Sequence, residues 1–348
     1  MKYFLNKYYK PWSFCWFLQR TILKIKNFHL QDLSVRNIWN DYRLTRKTNR
    51  ILRSVKNTAG NKRQPDLSND PPSGRNEEYS PVITCMADKP SDLSRVNSYF
   101  DHIYVVNLER KVERRMRMQE VLTRLHIRAE FFPAEDGYTE RNLQEFNSYL
   151  NHPIDPEKAH EKEIKLRRKV IYAPGAWGTL KTYHRLIRDA SKRGFKKILS
   201  LEDDLVFSKN FEELFGQAVN SLPADWKLLY LGASQHSWKE GIDLVAPAPL
   251  SSDDNSITFY HPLTADGAFA IGIDASIFEE LLSEIGKMNC PFDSGALQCI
   301  SKNYPDQCFV VYPNLVIANV GDSENMIDRK MKTFARRVRW KLDLYDFN

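Results

Sequence analysis

The chain has 348 residues, 42% of them apolar, a formal net charge of +7 and an isoelectric point near 9.0. That is enough apolar material for one large domain or two small ones, and the moderate excess of base suits a polyanionic partner (nucleotide, anionic lipid or nucleic acid) without choosing among them. Its five cysteines are an odd number with no CxxC pair, which argues against a disulfide framework or a structural zinc site and for a reducing compartment.

Residues 1–42 are basic and aromatic. The longest unbroken apolar run there, Phe14 to Leu18, is far short of the roughly 20 residues a membrane span needs, and no signal-peptide core precedes a small-residue cleavage site. Trp12, Phe14, Trp16, Phe17, Ile22 and Ile25 among Lys and Arg suit an interfacial helix or a helix packed on the main domain. From 43 to 96 polar residues dominate around Asp70-Pro71-Pro72-Ser73-Gly74, the composition of a disordered linker.

The folded domain is expected over 97–323, alternating strand and helix in the manner of an α/β sheet with a substantial parallel portion. Ile103 to Leu108 reads as the first strand, and Met118, Val121, Leu122 and Leu125 give one face of the following helix. Ala129 to Phe132 is a short strand leading to the turn signal Glu135-Asp136-Gly137. Tyr138 to Lys169 is polar and irregular, and is expected to be a mobile flap or acceptor-side insertion. Pro174-Gly175 opens a helix with Leu180, Tyr183, Ile187 and Ala190 on one face, ended by Gly194. Further strands are expected at Leu228 to Gly232, Ala268 to Ile273, Phe309 to Tyr312 and Leu315 to Val320, with helices from Phe211 and from Ala275. Residues 324–348 form a basic amphipathic tail that either lies on a membrane surface or caps the domain.

Between Ile198 and Phe207 two apolar runs enclose Glu202-Asp203-Asp204, so a buried strand delivers three adjacent carboxylates to one end of the sheet. Burying adjacent like charges is costly, and a hard divalent cation, Mg²⁺ or Mn²⁺, offsets that cost when substrate phosphate oxygens complete its shell. The competing reading is a solvated loop of acids or acids paired with nearby lysines. Arg110, Lys111, Arg114 and Arg115 crowd the electropositive start of the first helix, where either an anion such as a diphosphate or solvent must offset them. Asp266, ahead of a strand, could bind a sugar hydroxyl, though the stretch also reads as a plain turn. Asp293, after a helix, suits a general base or is a solvated loop acid. No glycine-rich phosphate loop is present, against a P-loop kinase or a dinucleotide-binding dehydrogenase. His184 and His236 lack a partner at metal-ligand spacing.

Several of these pieces together resemble glycosyltransferase family 25, the family of bacterial lipooligosaccharide and animal collagen galactosyltransferases. Ile103 to Arg115 is similar to its V-x-N-L-x-R-x-x-x-R opening, Ala134 to Gly137 to its A-x-D-G, and Gly178 to His184 to its G-C-x-x-S-H helix start. Ile198 to Val206 resembles I-L-x-L-E-D-D-V, Leu229 to Gly232 L-x-L-G, Gly267 to Ile273 G-x-x-A-Y-x-I, and Pro291 to Asp293 P-x-D. The resemblance implies a GT-A-like nucleotide-sugar-binding fold with a mixed, mostly parallel sheet flanked by helices. It implies inverting transfer of a hexose, often galactose, from a UDP-sugar donor to a glycan acceptor such as lipopolysaccharide. Glu202, Asp203 and Asp204 would hold Mn²⁺ or Mg²⁺; Asn107, Arg110 and Arg114 would contact the nucleotide, with Asp136 and Gly137 lining its pocket; Asp266 or Asp293 would be the base. A cytoplasmic enzyme is expected, touching the inner membrane face through its basic termini, with no specific nucleic-acid partner.

The chain departs from the pattern at one helix. The family's Cys is Thr179, its Ser is Thr182, and its His position holds Tyr183, with His184 one residue late. One residue turns a helical side chain by about 100°, so His184 is not expected to take over that contact. The rival readings are a metal-dependent nucleotidyl- or phosphotransferase, and a non-catalytic nucleic-acid- or membrane-binding protein on a degenerate transferase fold.

Overall fold

The computed structural model describes residues 82–83, 93–235, 244–245, 257–262, 265–322 and 330–347. Almost all of the N-terminal segment and linker, and His236, lie outside the described residues. All described residues belong to a unit running from Gly74 to Asn348.

In chain order the elements are β1 (Val82–Ile83), α1 (Arg95–Tyr99), β2 (His102–Asn107), α2 (Val112–Arg124), β3 (Glu130–Pro133), α3 (Glu140–Asn151) and α4 (Glu161–Leu166). They continue with α5 (Pro174–Lys192), β4 (Lys197–Glu202), β5 (Leu205–Phe207), α6 (Phe211–Ser221), β6 (Leu228–Gln235), β7 (Leu244–Val245) and β8 (Thr258–Tyr260). The last are β9 (Ala265–Asp274), α7 (Phe278–Gly286), a single π-helical turn over Phe292–Leu297, α8 (Gln298–Asn303), β10 (Cys308–Tyr312), β11 (Val316–Ala318) and α9 (Met331–Val338).

Among the described residues nine strands form one sheet in the order β1-β3-β2-β4-β9-β6-β10-β8-β7. Strands β3, β2 and β4 are parallel, as are β6 and β10, and antiparallel β9 joins the two groups. The sheet is thus mixed, and its parallel strands bring their carboxyl ends to one edge, where ligands gather in open α/β sheets. Successive residues of a strand face opposite sides, and the two cores follow from that. Ile103, Val105, Leu199, Leu201, Leu229 and Leu231 join α2, α6 and the C-terminal segment on one face. Tyr104, Ile198, Leu228 and Tyr230 join α3, α5 and α7 on the other.

One expectation is corrected, and for the tail the described residues support the second of its two readings. The stretch expected as a mobile flap folds into α3 and α4. Thr139 caps α3, its Oγ1 accepting from the Asn142 amide at 3.3 Å, and Leu143 and Phe146 are buried beneath it, Phe146 against Trp177. Leu143, Phe146 and Tyr149 lie at helical spacing on the inner face of α3, a short pattern set among polar residues. The C-terminal tail, for its part, caps the domain. Phe334, Ala335, Val338 and Trp340 are buried, and the Trp340 indole N–H donates to Ala233 O at 3.0 Å. The sheet also begins before residue 97, since β1 pairs with β3 and Val96 is wholly buried. Among the described residues no helix is long and apolar enough to cross a membrane.

Candidate active site

The acid cluster sits where the sequence places it. β4 ends at Glu202, β5 starts at Leu205, and Asp203 and Asp204 form the bend between them. Because β4 lies between β2 and β9 in the sheet, this bend stands among the loops that follow β2 and β3 and the start of β9.

Two clefts meet at the bend. One is lined by Arg110, Arg114, Asp136, Gly137, Tyr138, and the acids. The other, of about 560 Å³, is lined by Glu202, Asp204, Asp266, Asp293 and aromatic residues including Tyr172 and Phe334, with Arg337. Glu202, Asp204 and Thr179 line both. The larger cleft is within the usual size of a small-molecule site. Four acids expected from scattered positions in the sequence therefore face one space.

Gly137 has a steric role in shaping the first cleft. A Cβ there would stand 1.8 Å from Pro174 O, so only glycine lets the loop lie on the first turn of α5. Asp136 is held by the Arg110 Nε at 2.5 Å and caps its own turn by accepting from the Tyr138 amide at 2.9 Å. Asn142 of α3 donates to Asp136 O at 2.8 Å and accepts from Lys181 Nζ at 2.7 Å, tying this loop to α5.

The three adjacent acids divide their work. Arg114 Nη1 donates to Asp203 Oδ1 at 2.9 Å, and Asn107 Nδ2 donates to Asp203 Oδ2 at 2.7 Å. Each oxygen of Asp203 thus accepts one hydrogen bond from the protein, while Asp203 also lines the first cleft. Asn107 and Arg114, expected to contact a nucleotide, spend their principal hydrogen bonds on Asp203. Arg115 lies over the Phe131 ring at 5.0 Å, away from the acids. The bases at the start of α2 are thus offset in good part by Asp203 and Asp136 of the protein itself.

Glu202 and Asp204 remain directed at the clefts. Burial, together with Asp204, Asp203 and Asp293, pushes the Glu202 carboxyl well above the usual range, and Arg114 opposes this only in part. A negative charge on Glu202 is therefore disfavoured in the protein alone, and a bound cation relieves it. Among the described residues no three His, Cys, Asp or Glu side chains form a ready-made metal cage. Magnesium-type sites do not need one, since one or two carboxylates with substrate phosphates and water suffice. The hard oxygens of Glu202 and Asp204 fit such a cation.

Asp293 and Asp266 face each other across the opening of β9. Asp293 Oδ2 accepts from the Gly267 amide at 2.9 Å, and its Oδ1 from the Ser294 amide at 2.7 Å. Gly267 has φ +88°, a conformation that favours glycine and that aims its N–H at Asp293. Asp266 Oδ1 accepts from Gln298 Nε2 at 3.4 Å.

Tyr183 fills the position at which the resemblance places a histidine. It is fully buried, its hydroxyl donating to Ala268 O at 3.0 Å and accepting from Ser200 at 3.3 Å, and its ring stacks on Phe292 at 3.8 Å. Its phenol is pushed up by burial and by Glu202, which keeps it protonated. Tyr183 thus joins α5 to β9 and to the turn bearing Asp293. His184 points elsewhere on α5, its ring pushed toward the neutral form by burial and Arg188. Sequence reading missed Tyr172, Phe334 and Arg337 in the larger cleft. The two C-terminal residues carried an amphipathic signal and the first carried none.

Taken together, the mixed α/β sheet and the acid-lined double cleft at its strand ends define a protein built to bind a small polar ligand beside a carboxylate pair. Comparison with known proteins finds a family with a similar stretch. Residues 100–247, from β2 to β7, are similar to glycosyltransferase family 25 (LPS biosynthesis protein). A "Glycosyltransferase 25 family member" of Drosophila melanogaster is 30% identical over 139 residues, 38% of this chain and 21% of that protein. An "Inactive glycosyltransferase 25 family member 3" of Homo sapiens is 24% identical over 165 residues, 47% of this chain and 26% of that protein. The mouse protein of the same name is 26% identical over 164 residues, 44% of this chain and 25% of its own length. The chain thus spans about a quarter of the length of these relatives. Asp266, Asp293 and α9 lie beyond the family match.

Proposed function

We propose that the protein is a metal-dependent inverting glycosyltransferase of GT-A type that moves a hexose, galactose by family resemblance, from a UDP-sugar to a glycan acceptor. The observation that carries the reading is the position of Glu202 and Asp204 at the junction of two clefts, within the segment that matches the family. The cleft beside Arg110, Asp136 and Gly137 takes the nucleotide. The larger cleft takes the transferred sugar and the acceptor, whose hydroxyl proton passes to Asp266 or Asp293 as the anomeric carbon is attacked from the opposite face. Glu202 and Asp204 would hold Mn²⁺ or Mg²⁺, which supplies charge stabilisation to the departing diphosphate. Arg114 and Asn107 act behind them by fixing Asp203 and hence the bend.

A second reading, a family member that binds without transferring, is favoured by two observations. Relatives of similar identity are named inactive, and Tyr183 replaces the family's histidine with a buried structural contact. Calorimetry separates the outcomes. The full chain should bind UDP with an affinity that rises on adding Mn²⁺, and Asp204→Ala should abolish that rise. Failure of folded wild-type chain to bind UDP with or without Mn²⁺ overturns the donor site. Metal-dependent binding without release of UDP from any UDP-hexose would select the second reading.

A further inference from the structure

The helix formed by the expected flap reaches a candidate base through one intervening side chain. Lys162, half-buried on α4, donates from Nζ to the Ser294 carbonyl and to Gln298 Oε1, the latter at 2.9 Å. Ser294 follows Asp293, and Gln298 opens α8 and donates to Asp266 Oδ1 at 3.4 Å. α4 is itself fixed in place. Glu161 pairs with Lys302 of α8, and Glu163 accepts from the Tyr149 hydroxyl of α3 at 2.7 Å.

A lysine ammonium has three donors and no acceptor. The end of the Gln298 side chain that faces Lys162 must then be its oxygen, and the NH₂ must face Asp266. Without the ammonium the amide is free to turn over, where its oxygen can accept from the protonated acid and so stabilise the neutral form. We infer that Lys162 is a positioning residue for Asp266, holding the Gln298 amide so that it donates to the carboxylate and favours the ionised form needed to accept a proton. The inference rests on the proposed function and, of its two candidate bases, takes Asp266.

The effect matters because acids crowd this carboxylate. Glu202 and Asp204 from the β4–β5 bend and Asp293 from the π-helical turn line the same cleft, as does Arg337 of α9; Tyr230 of β6 lies within electrostatic reach of Asp266, and Lys162 stands behind Gln298. A hydrogen bond donated to the charged form favours it, and an amide free to accept from the protonated acid favours the neutral form. Asp293 differs in kind. Its oxygens accept from backbone N–H groups, whose direction Lys162 does not set.

The test is the titration of the Asp266 carboxyl in the full chain by carbon-detected NMR, assigned against Asp266→Asn. Lys162→Met is expected to raise the midpoint by about one pH unit, and Lys162→Arg to restore it. Gln298→Met, which keeps the positive charge but removes the amide, should raise it as Lys162→Met does, and the double variant no further. An unchanged midpoint in folded Lys162→Met, or a shift in Lys162→Met that Gln298→Met does not share, overturns the inference. Release of UDP from UDP-galactose, with water as acceptor, should show kcat lowered about tenfold in Lys162→Met with donor KM unchanged. Absence of that release in wild type would count against the transferase reading, while the titration still decides the role of Lys162.

Discussion

Arg114 Nη1 lies 2.9 Å from Asp203 Oδ1 and 3.5 Å from Asp204 Oδ2, joining the first turn of α2 to the acid bend across 89 residues of sequence. Both partners are largely shielded, the Arg114 side chain 11% and that of Asp203 8% exposed. Removing one partner of such a pair leaves a buried charge uncompensated. Arg114→Met is therefore expected to cost about 3 kcal/mol of stability in denaturant unfolding. A loss below about 1 kcal/mol would mean that the ion pair does not hold the bend.

Glu202 behaves in the opposite sense. Its ionised form is disfavoured by burial and by neighbouring acids, so Glu202→Gln should raise the melting temperature of the metal-free protein by about 2–4 °C near neutral pH. The same variant should lose the gain in UDP affinity that Mn²⁺ brings. Stabilisation together with loss of metal response is the signature of a site residue held at a cost to the fold.

Glu130 gives the pH dependence. Burial pushes its carboxyl up, but hydrogen bonds from His102 and Arg193, each at 2.9 Å, outweigh this and hold it below the ordinary value of 4.5. A lowered folded value means that its contribution is complete above the unfolded value and is lost as pH falls through the folded one. Melting temperatures should accordingly decline below about pH 4.5, and Glu130→Gln should flatten that part of the slope. An unaltered slope in the variant would assign acid sensitivity to other carboxylates.

Trp340 tests whether the C-terminal segment is part of the domain. It is 7% exposed, packs edge-on against Phe269 at 6.0 Å, and donates to Ala233 O. Trp340→Ala should cost about 3 kcal/mol, the usual range for a buried aromatic. It should also weaken sugar binding in the larger cleft, because α9 supplies Phe334 and Arg337 to its wall. Near-wild-type stability would return the segment to the role of a loose tail.

Much of this site is legible in the sequence because its signals are local. A strand of about six residues ending in three acids, a glycine needed where a loop lies on a helix start, and motifs in a fixed order are all contiguous patterns, and the structure places those residues around two joined clefts. The order of helix and strand likewise follows from apolar periodicity, which is a property of neighbours in the chain. By contrast, α3 and α4 are short and mostly polar, and their positions rest on caps and on long-range contacts such as Tyr149 to Glu163 and Lys162 to Gln298.

What the sequence by itself determined is therefore the alternation of elements, the acid bend at the end of β4 and the resemblance to glycosyltransferase family 25. Only the tertiary structure decided how the three acids divide. Asp203 takes hydrogen bonds from Arg114 and Asn107, both distant in sequence, whereas Glu202 and Asp204 line both clefts. It also decided that Lys162 reaches Gln298 across 136 residues and that Phe334, Val338 and Trp340 of the C-terminal segment are buried in the domain. The physical reason is the same in each case. A charged or amphipathic side chain states a need for a partner, and only the folded chain shows which partner meets it.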